Sequence, residues 1–309
     1  MNVELRHLRA LAAIGDEGTI TGAADVLRVG QPALSRTLDQ LERRLGTALV
    51  ERTTRRLALT PAGRRLWEHA HRILAQVDQA LAEAATGPRP LRIGFAWAAL
   101  GPYTVGLLRA WRREHPEVPV EVRRLDDPAA ALRRGEIDAA FLRILPGDGD
   151  LPLSVLPLYR EPRIAALCED DPLAAREELA LADLADRRVV LCASAATTST
   201  ALWPDERRPE SLTVANVDEW LTAIATGEAV GVTADATRHS HPYPGVRYLP
   251  LSDVPPVTVH FLSPAAPTHP QTGAFRAHAR RVLPATGLQP AAPRRAAALA
   301  RALTSPGDG

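Results

Sequence analysis

The first sixty residues carry apolar positions at helical spacing, interrupted at short intervals. Leu5, Leu8 and Ala12 share one helical face, and Gly15 and Gly18 are expected to end that helix. Thr21 is placed to cap a short second helix bearing Ala23, Ala24 and Leu27. Val29, Gly30 and Gln31 read as a tight connection. Pro32 suits the first turn of a third helix, where its missing N–H costs nothing. Leu34, Leu38, Leu41 and Leu45 form the inward stripe of that helix, and Gly46 can take its left-handed cap. In VERTTRRLALT, Val50, Leu57 and Leu59 sit among Thr and Arg as in a small β-hairpin. Three helices and a hairpin in so short a span make the plan of a winged helix-turn-helix.

Thr60 and Pro61 open a long helix reaching about Ala85. Its apolar positions Leu66, Ala70, Ile73, Val77, Ala80 and Ala84 follow steps of 4, 3, 4, 3 and 4 residues. That is a heptad seam, and a single exposed helix with such a stripe needs a partner. TGPRP at 86–90 breaks the helix. From Leu91 the pattern changes to the β-type runs LRIGFA, VEVRR, DAAFLR and RRVVLCA. Between them lie a helix from about Pro102 to Glu114 and a second one closed at Gly135. The alternation predicts parallel sheets with helices on both faces, and a span of ~180 residues is long enough for two small lobes. The predicted fold class is therefore a multidomain α+β chain. It has a winged helix-turn-helix at 1–60, a linker and dimerisation helix at 61–88, a two-lobed α/β domain at 89–284, and a tail at 285–309 rich in Ala, Pro and Arg. A loosely held end is expected there, with PRRAAALARAL as a helical stretch.

Composition narrows the function. Hydrophobic residues are 46% and charged residues 24% of the 309, ordinary for a soluble globular protein. No apolar run approaches the ~20 residues of a membrane helix. MNVELRHLRA carries acid and no apolar stretch, so a secretory signal is not expected and a cytoplasmic location is. Net charge is only +1, and all 37 basic residues are Arg, so an isolated Arg carries weight only through its position. Cys168 and Cys192 are too few for a disulfide framework or a zinc site. Both sit in apolar runs, AALC and VVLC, and read as buried strand thiols, with a redox pair as the alternative. His239, His241 and His260 lack metal spacing. The chain has no GxSxG, P-loop, HExxH or GxGxxG. No catalytic residue, metal or cofactor is therefore expected, and an enzyme is disfavoured.

At this point the residues resemble a known family. The run from Leu5 to Gly63 resembles the DNA-binding domain of LysR-type transcriptional regulators almost end to end. The resemblance rests on Ala23-Ala24, Gln31-Pro32-Ala33-Leu34-Ser35-Arg36, Leu41-Glu42, Leu45-Gly46, Glu51-Arg52-Thr53 and Leu59-Thr60-Pro61-Ala62-Gly63. LPLYREPRIAALCEDDPLA and LTAIATGEAVGVT are similar to the hinge-crossing strand and the helix-Gly-strand segment of the family's second half. Three departures stand out: Gly30 replaces a usual Ser or Thr, which removes an N-cap hydrogen bond, and Leu11 and Val50 stand where aromatic residues are common. The resemblance implies a periplasmic-binding-protein-like sensing domain after the DNA-binding head. It also implies a dimer or a tetramer of paired dimers, and action on RNA polymerase. A transport-binding protein, which the second half alone resembles, would need a signal peptide and no helix-turn-helix. A DNA-binding architectural protein without a ligand stays open.

On DNA, Pro32, Arg36, Asp39 and Arg43 lie opposite the inward stripe, flanked by Gln31 and Ser35. A recognition helix leads with its N-terminal residues into the major groove, where Gln pairs with adenine edges and Arg with guanine edges. Taken alone, Arg36 and Arg43 read as a solvated face; inside this motif they are assigned to DNA. The assigned set is Thr21, Gln31, Pro32, Ala33, Ser35, Arg36 and Arg43, with Arg52, Thr53, Arg55 and Arg56 on the wing, where Arg reaches the minor groove or its phosphates. Residues 1–63 hold nine Arg against seven acids, so binding should depend on placed contacts and on two heads acting together at an imperfect inverted repeat. In the sensing half, Trp97, Ala98, Ala99 and Leu100 follow the first strand. Thr197, Thr198 and Ser199 follow VVLCAS and precede a short helix, and Arg143 ends the third strand. Helix N-termini and Arg143 favour an anionic organic effector, and Trp97 supplies an apolar or stacking wall. The bland alternative is a polar loop and a surface Arg.

Overall fold

The computed structural model describes residues 3–52, 57–87, 89–147, 152–195 and 197–283. It divides into two units, Met1–Arg89 with Ala130–Ile137, and Pro90–Ala129 with Asp138–Gly309.

In the first unit, α1 (Leu5–Glu17), α2 (Ile20–Leu27) and α3 (Gln31–Leu45) precede a hairpin of β1 (Val50–Arg52) and β2 (Leu57–Leu59), followed by the long α4 (Pro61–Thr86). Leu11, Ile14, Leu34, Leu38, Leu41 and Leu49 are its buried centre, because the apolar stripes of the three helices face one another. Leu11 and Val50, the two residues that replace aromatic ones, are both buried in this core. Gly15 does not end α1. The helix continues to Glu17 and stops at Gly18, whose φ of 64° only glycine adopts cheaply. Gly15 is instead a close-approach site: a Cβ there would lie 2.4 Å from Cδ1 of Trp67 on α4. The cap of α2 is likewise Thr19 rather than Thr21, with its hydroxyl accepting from the Gly22 N–H at 3.1 Å. As the sequence suggests, Gly30 gives α3 no side-chain cap.

The wing is tied to the helices by backbone and side-chain bonds. Val50 pairs with Leu59 across the hairpin. A Glu42 carboxylate oxygen accepts from the N–H groups of Leu49 at 2.7 Å and Val50 at 3.2 Å. Thr60 caps α4 by accepting from Gly63 N–H at 2.9 Å and donates to the Ala48 carbonyl at 2.9 Å. A Cβ on Gly63 would sit 1.9 Å from the Leu49 carbonyl oxygen, which is backbone and cannot rotate away. Gly63→Ala is therefore expected to destabilise the first unit by about 1–3 kcal/mol. A denaturation midpoint equal to that of the wild type would show that the helix start shifts at no cost.

The second unit contains two mixed sheets. The elements after α4 in chain order are β3 (Leu91–Phe95), α5 (Tyr103–Glu114), β4 (Val120–Arg124), α6 (Pro128–Arg134, assigned to the first unit from Ala130 on), β5 (Ala139–Leu142), β6 (Leu153–Glu161), β7 (Arg163–Cys168), β8 (Val189–Cys192), β9 (Ser211–Val214), α7 (Val217–Ala225), β10 (Val230–Ala234), α8 (Ala236–Ser240), β11 (Val246–Pro250), β12 (Val257–Pro264) and α9 (Thr272–Val282). Lobe I has strand order β4-β3-β5-β12-β6 and lobe II has β11-β7-β10-β8-β9. The expected parallel pairing holds for β4-β3-β5 and β9-β8-β10. It fails for β6 and β12 in lobe I and for β7 and β11 in lobe II, which pair antiparallel. The reason is the double crossing between sheets: β6 passes through Pro162 straight into β7, and β11 leads back to β12, with no helix to reverse direction. Trp111, Phe141, Phe261 and Phe275 centre the lobe I core. Lobe II packs Trp220 and Ile224 on one side of its sheet and Leu184, Val189 and Trp203 on the other.

Candidate functional sites

The DNA-facing candidates cluster at the start of α3. Leu34, Leu38 and Leu41 are buried, and this turns Gln31, Pro32, Ala33, Arg36 and Arg43 to the exposed side, with Ser35 half-buried. The Gln31 amide donates to the Thr21 hydroxyl at 2.6 Å. That bond joins the N-terminal ends of α2 and α3 and orders the tip of the helix. Arg28, in the left-handed region at φ 54°, makes the turn between them. Thr53, Arg55, Arg56 and the side chain of Arg52, assigned to the wing, lie outside the described residues, as does the tail from 285.

The sensing candidates meet at the seam between lobes I and II. Trp97, leaving β3 of lobe I, reaches lobe II and is only 7% exposed. Its indole N–H donates to the Thr237 hydroxyl at 2.8 Å, and Thr237 in turn bonds the Thr233 hydroxyl at 2.8 Å. The ring meets Trp220 edge-on at 5.5 Å and His241 at 5.7 Å between centroids. A His241 ring nitrogen lies 3.2 Å from the Trp97 carbonyl oxygen. Trp97, Thr197 and Thr198 line a common hollow with Val190, Cys192, Trp220, Val232 and Thr233, whose volume is about 10 Å³. That holds about one water molecule. Thr198 donates to the Val232 carbonyl at 2.6 Å. Cys192 and Cys168 are both free thiols.

Arg143 is engaged beside this hollow. It bonds a Glu161 oxygen at 2.7 Å and the Ala98 carbonyl at 2.5 Å, with side chains only 7% and 5% exposed for Arg143 and Glu161. The other Glu161 oxygen accepts from the Ala236 N–H at the start of α8. Glu161, at the end of β6, thus joins the Arg of lobe I to a backbone donor of lobe II. At the hinge, Arg163 donates to the carbonyls of Pro255 at 3.1 Å and Thr197 at 2.5 Å. Burial holds its guanidinium below the ordinary arginine range.

Burial also pushes the His241 and His260 imidazoles down from their ordinary value. In the unfolded chain both would take up protons below about pH 6.5, whereas in the fold they resist charge. Stability is therefore present above that pH and is lost as pH falls through it. A chemical denaturation midpoint that stays constant from about pH 7.5 to about pH 5.5 would contradict this.

Two family models match the chain: the bacterial regulatory helix-turn-helix protein, lysR family, over residues 5–64, and the LysR substrate binding domain over residues 84–284. The chain belongs to the LysR family. It is therefore a DNA-binding transcription regulator with an effector-binding domain, and not an enzyme. Among curated proteins it is similar to the HTH-type transcriptional regulator BenM of Acinetobacter baylyi, 29% identical over 275 residues, 84% of this chain and 90% of that one. It is also similar to the small neutral protease regulatory protein of Streptomyces coelicolor, 38% identical over 201 residues, 61% of this chain and 59% of that one. Among solved structures, a full-length OxyR variant from Pseudomonas aeruginosa superposes with a TM-score of 0.62 at 26% identity, covering 94% of this chain and all of that one.

Within this LysR-type chain, the expected effector residues do not all sit alike. Trp97, Thr197 and Thr198 come together around the hollow. Ala98, Ala99 and Leu100 are buried, Leu100 in the lobe I core, and Ser199 is half-buried. The helix expected after Ser199 is only a three-residue 3-10 turn, Thr200–Leu202, too short for a helix dipole to hold an anion. Arg143 has its charge matched by Glu161. The residues missed from sequence are Glu161, Thr233, Thr237, Trp220 and His241. One signal was available: Glu161 is a lone carboxylate in the strand run LPLYREPRIAAL, and such a charge in a buried strand needs a partner. The others carry no local mark, because only the fold brings α7, β10 and α8 to Trp97. Among the described residues, no helix is long and apolar enough to cross a membrane, and no group of three or more His, Cys, Asp or Glu could hold a metal.

Proposed function

We propose that this regulator reads an imperfect inverted repeat of double-stranded DNA through α3, as a homodimer or a tetramer of paired dimers in the cytoplasm, acting on RNA polymerase under control of a small organic effector held between lobes I and II. The domain boundaries that go with this reading are 1–60, 61–88 and 89–284. The observation that carries it is the exposed row Gln31, Pro32, Ala33, Arg36 and Arg43 opposite the buried leucines of α3, with Thr21 bonded to its tip. Arg36→Ala is expected to weaken operator binding by about 1–3 kcal/mol, whereas Arg55→Ala on the wing weakens many sequences alike and lowers the salt slope. Operator affinity unchanged in both variants, with folding intact, would sink the assignment.

The dimer reading is supported by α4. Its seam residues Ile73, Ala80 and Ala84 are exposed, Leu66 and Val77 are half-buried, and Ala70 is buried. Beside them lies a hollow of about 800 Å³ lined by Val3, Leu5, Leu8, Leu41, Leu45, Leu66 and Ile73 together with Glu4 and Arg6. Apolar surface of this kind marks protein contact. Two heads would then meet half-sites about 34 Å apart, or a multiple of it.

The effector reading is supported by the meeting of Trp97, Thr197 and Thr198 at the lobe seam. A ligand that touches both lobes favours one lobe arrangement by its differential affinity, and coupling to the DNA-binding heads is typically about 1–3 kcal/mol. Thr198→Val is expected to reduce the effector response and to spare basal operator binding. Loss of basal binding instead would mark Thr198 as structural.

A further inference from the structure

We propose that Trp97 is an internal occupant of the effector seat, and that the molecule which takes its place presents a one- or two-ring aromatic group with an N–H or O–H donor. The proposal rests on reading the lobe seam as the effector site, and it says what part of an effector enters there. The seat is defined by what now fills it. Trp97 leaves lobe I, is 7% exposed, and packs edge-on to Trp220 and against His241. With the indole in place, the remaining hollow is about 10 Å³, room for about one water molecule. A ring-sized ligand and the indole therefore exclude each other. Interiors pack as densely as organic crystals, so neither can be squeezed in beside the other.

The need for a donor follows from Thr237. Its hydroxyl is fully buried and accepts from the indole N–H at 2.8 Å. A ligand without a donor would leave that oxygen only its bond to the Thr233 hydroxyl at 2.8 Å, and binding sites built around a hydroxyl discriminate against such a loss. The need for an aromatic face follows from Trp220 and His241, which prefer edge-to-face neighbours. The described residues that line the hollow carry no charge. The ring end of the effector enters here, and any acidic group it carries stays outside. In the effector-free chain, Trp97 then holds lobe I to lobe II, and the effector exchanges one such link for another.

Chemical rescue of the full-length protein by indole tests this. Trp97→Ala should open a ring-sized cavity, and millimolar indole should raise its melting temperature by on the order of 5 °C while moving the wild type far less. Adding Thr237→Val should weaken indole binding about fivefold through loss of the acceptor. A folded Trp97→Ala that ignores indole overturns the proposal. If Trp97→Ala does not fold, Trp97→Phe keeps a ring and loses the N–H. Indole should then half-saturate that variant at least about fivefold lower than the wild type, and equal response overturns the proposal. Rescue of Trp97→Ala by indole, with the variant's operator affinity the same with and without indole, would support the aromatic seat and refute the effector reading.

Discussion

Glu161→Ala is expected to be among the most destabilising single changes in the second unit, costing about 3–5 kcal/mol. The Arg143 and Glu161 side chains are 7% and 5% exposed and bonded at 2.7 Å. Removing the carboxylate leaves a buried guanidinium without a counter-charge. That cost, rather than the net strength of the pair, sets the magnitude. The Ala236 N–H at the start of α8 loses its acceptor in the same step. Arg143 already has one buried nitrogen, Nη2, with no hydrogen-bond partner, so it has little to fall back on. Arg143→Ala should cost a similar amount for the opposite reason, a stranded carboxylate. Arg143 is therefore unsuited to a clean test of effector response. The double replacement Arg143→Met with Glu161→Leu should recover most of the loss, because a well-packed apolar pair is often neutral relative to a buried ion pair. Urea denaturation of the three variants decides this. Single variants within about 1 kcal/mol of the wild type would mean that water reaches the pair and screens it.

The same pair shows where the sequence stopped being legible. The helices of the DNA-binding head follow from local signals: Leu34, Leu38 and Leu41 repeat on one face, Gly46 ends the helix, and Thr60-Pro61 starts the next. The errors there were small and physical. The pattern predicts a stop at Gly15, but a glycine within a helix also serves where a ring must lie on the backbone, and Trp67 lies 51 residues further on from its acceptor Asp16. The sequence pattern places the cap of α2 at Thr21, whereas the structure places it two residues earlier, at Thr19. In the sensing half, strands β3, β4, β5 and β8 are marked by apolar runs, while the direction of β7 and β12 depends on a chain that crosses between sheets. Periodicity carries no direction. The candidate site divides along the same line. Trp97 and Thr198 follow strands, where a ligand site in an open α/β sheet is expected. Thr237 is 140 residues from Trp97 in sequence, and Glu161 is 75 from Ala236. Contacts at such separation leave no trace in the spacing of either residue.

Ile73→Asp is expected to leave the single chain folded and to abolish its pairing, with operator affinity falling by about 10²–10⁴-fold. Ile73 is 41% exposed within one chain, so a carboxylate there meets water in the monomer and costs its fold little. Across a helix pair the same position would bury an unpaired charge, which is strongly unfavourable. Ala70, one turn earlier, is fully buried within the first unit, and Leu66 before it is half-buried, so Ile73 is the first fully exposed residue of the seam. Leu81, 65% exposed further along α4, extends the apolar surface beyond the seam residues. Affinity falls because one head, with nine Arg against seven acids in residues 1–63, has little excess charge to hold DNA by itself. Joining two heads makes the second contact intramolecular and raises apparent affinity without any new bond. Sedimentation should give at least a dimer for the wild type at micromolar concentration and a monomer for the variant, with equal melting of the first unit. A monomeric wild type would refute the seam assignment outright, and a variant that still pairs would move the interface off Ile73.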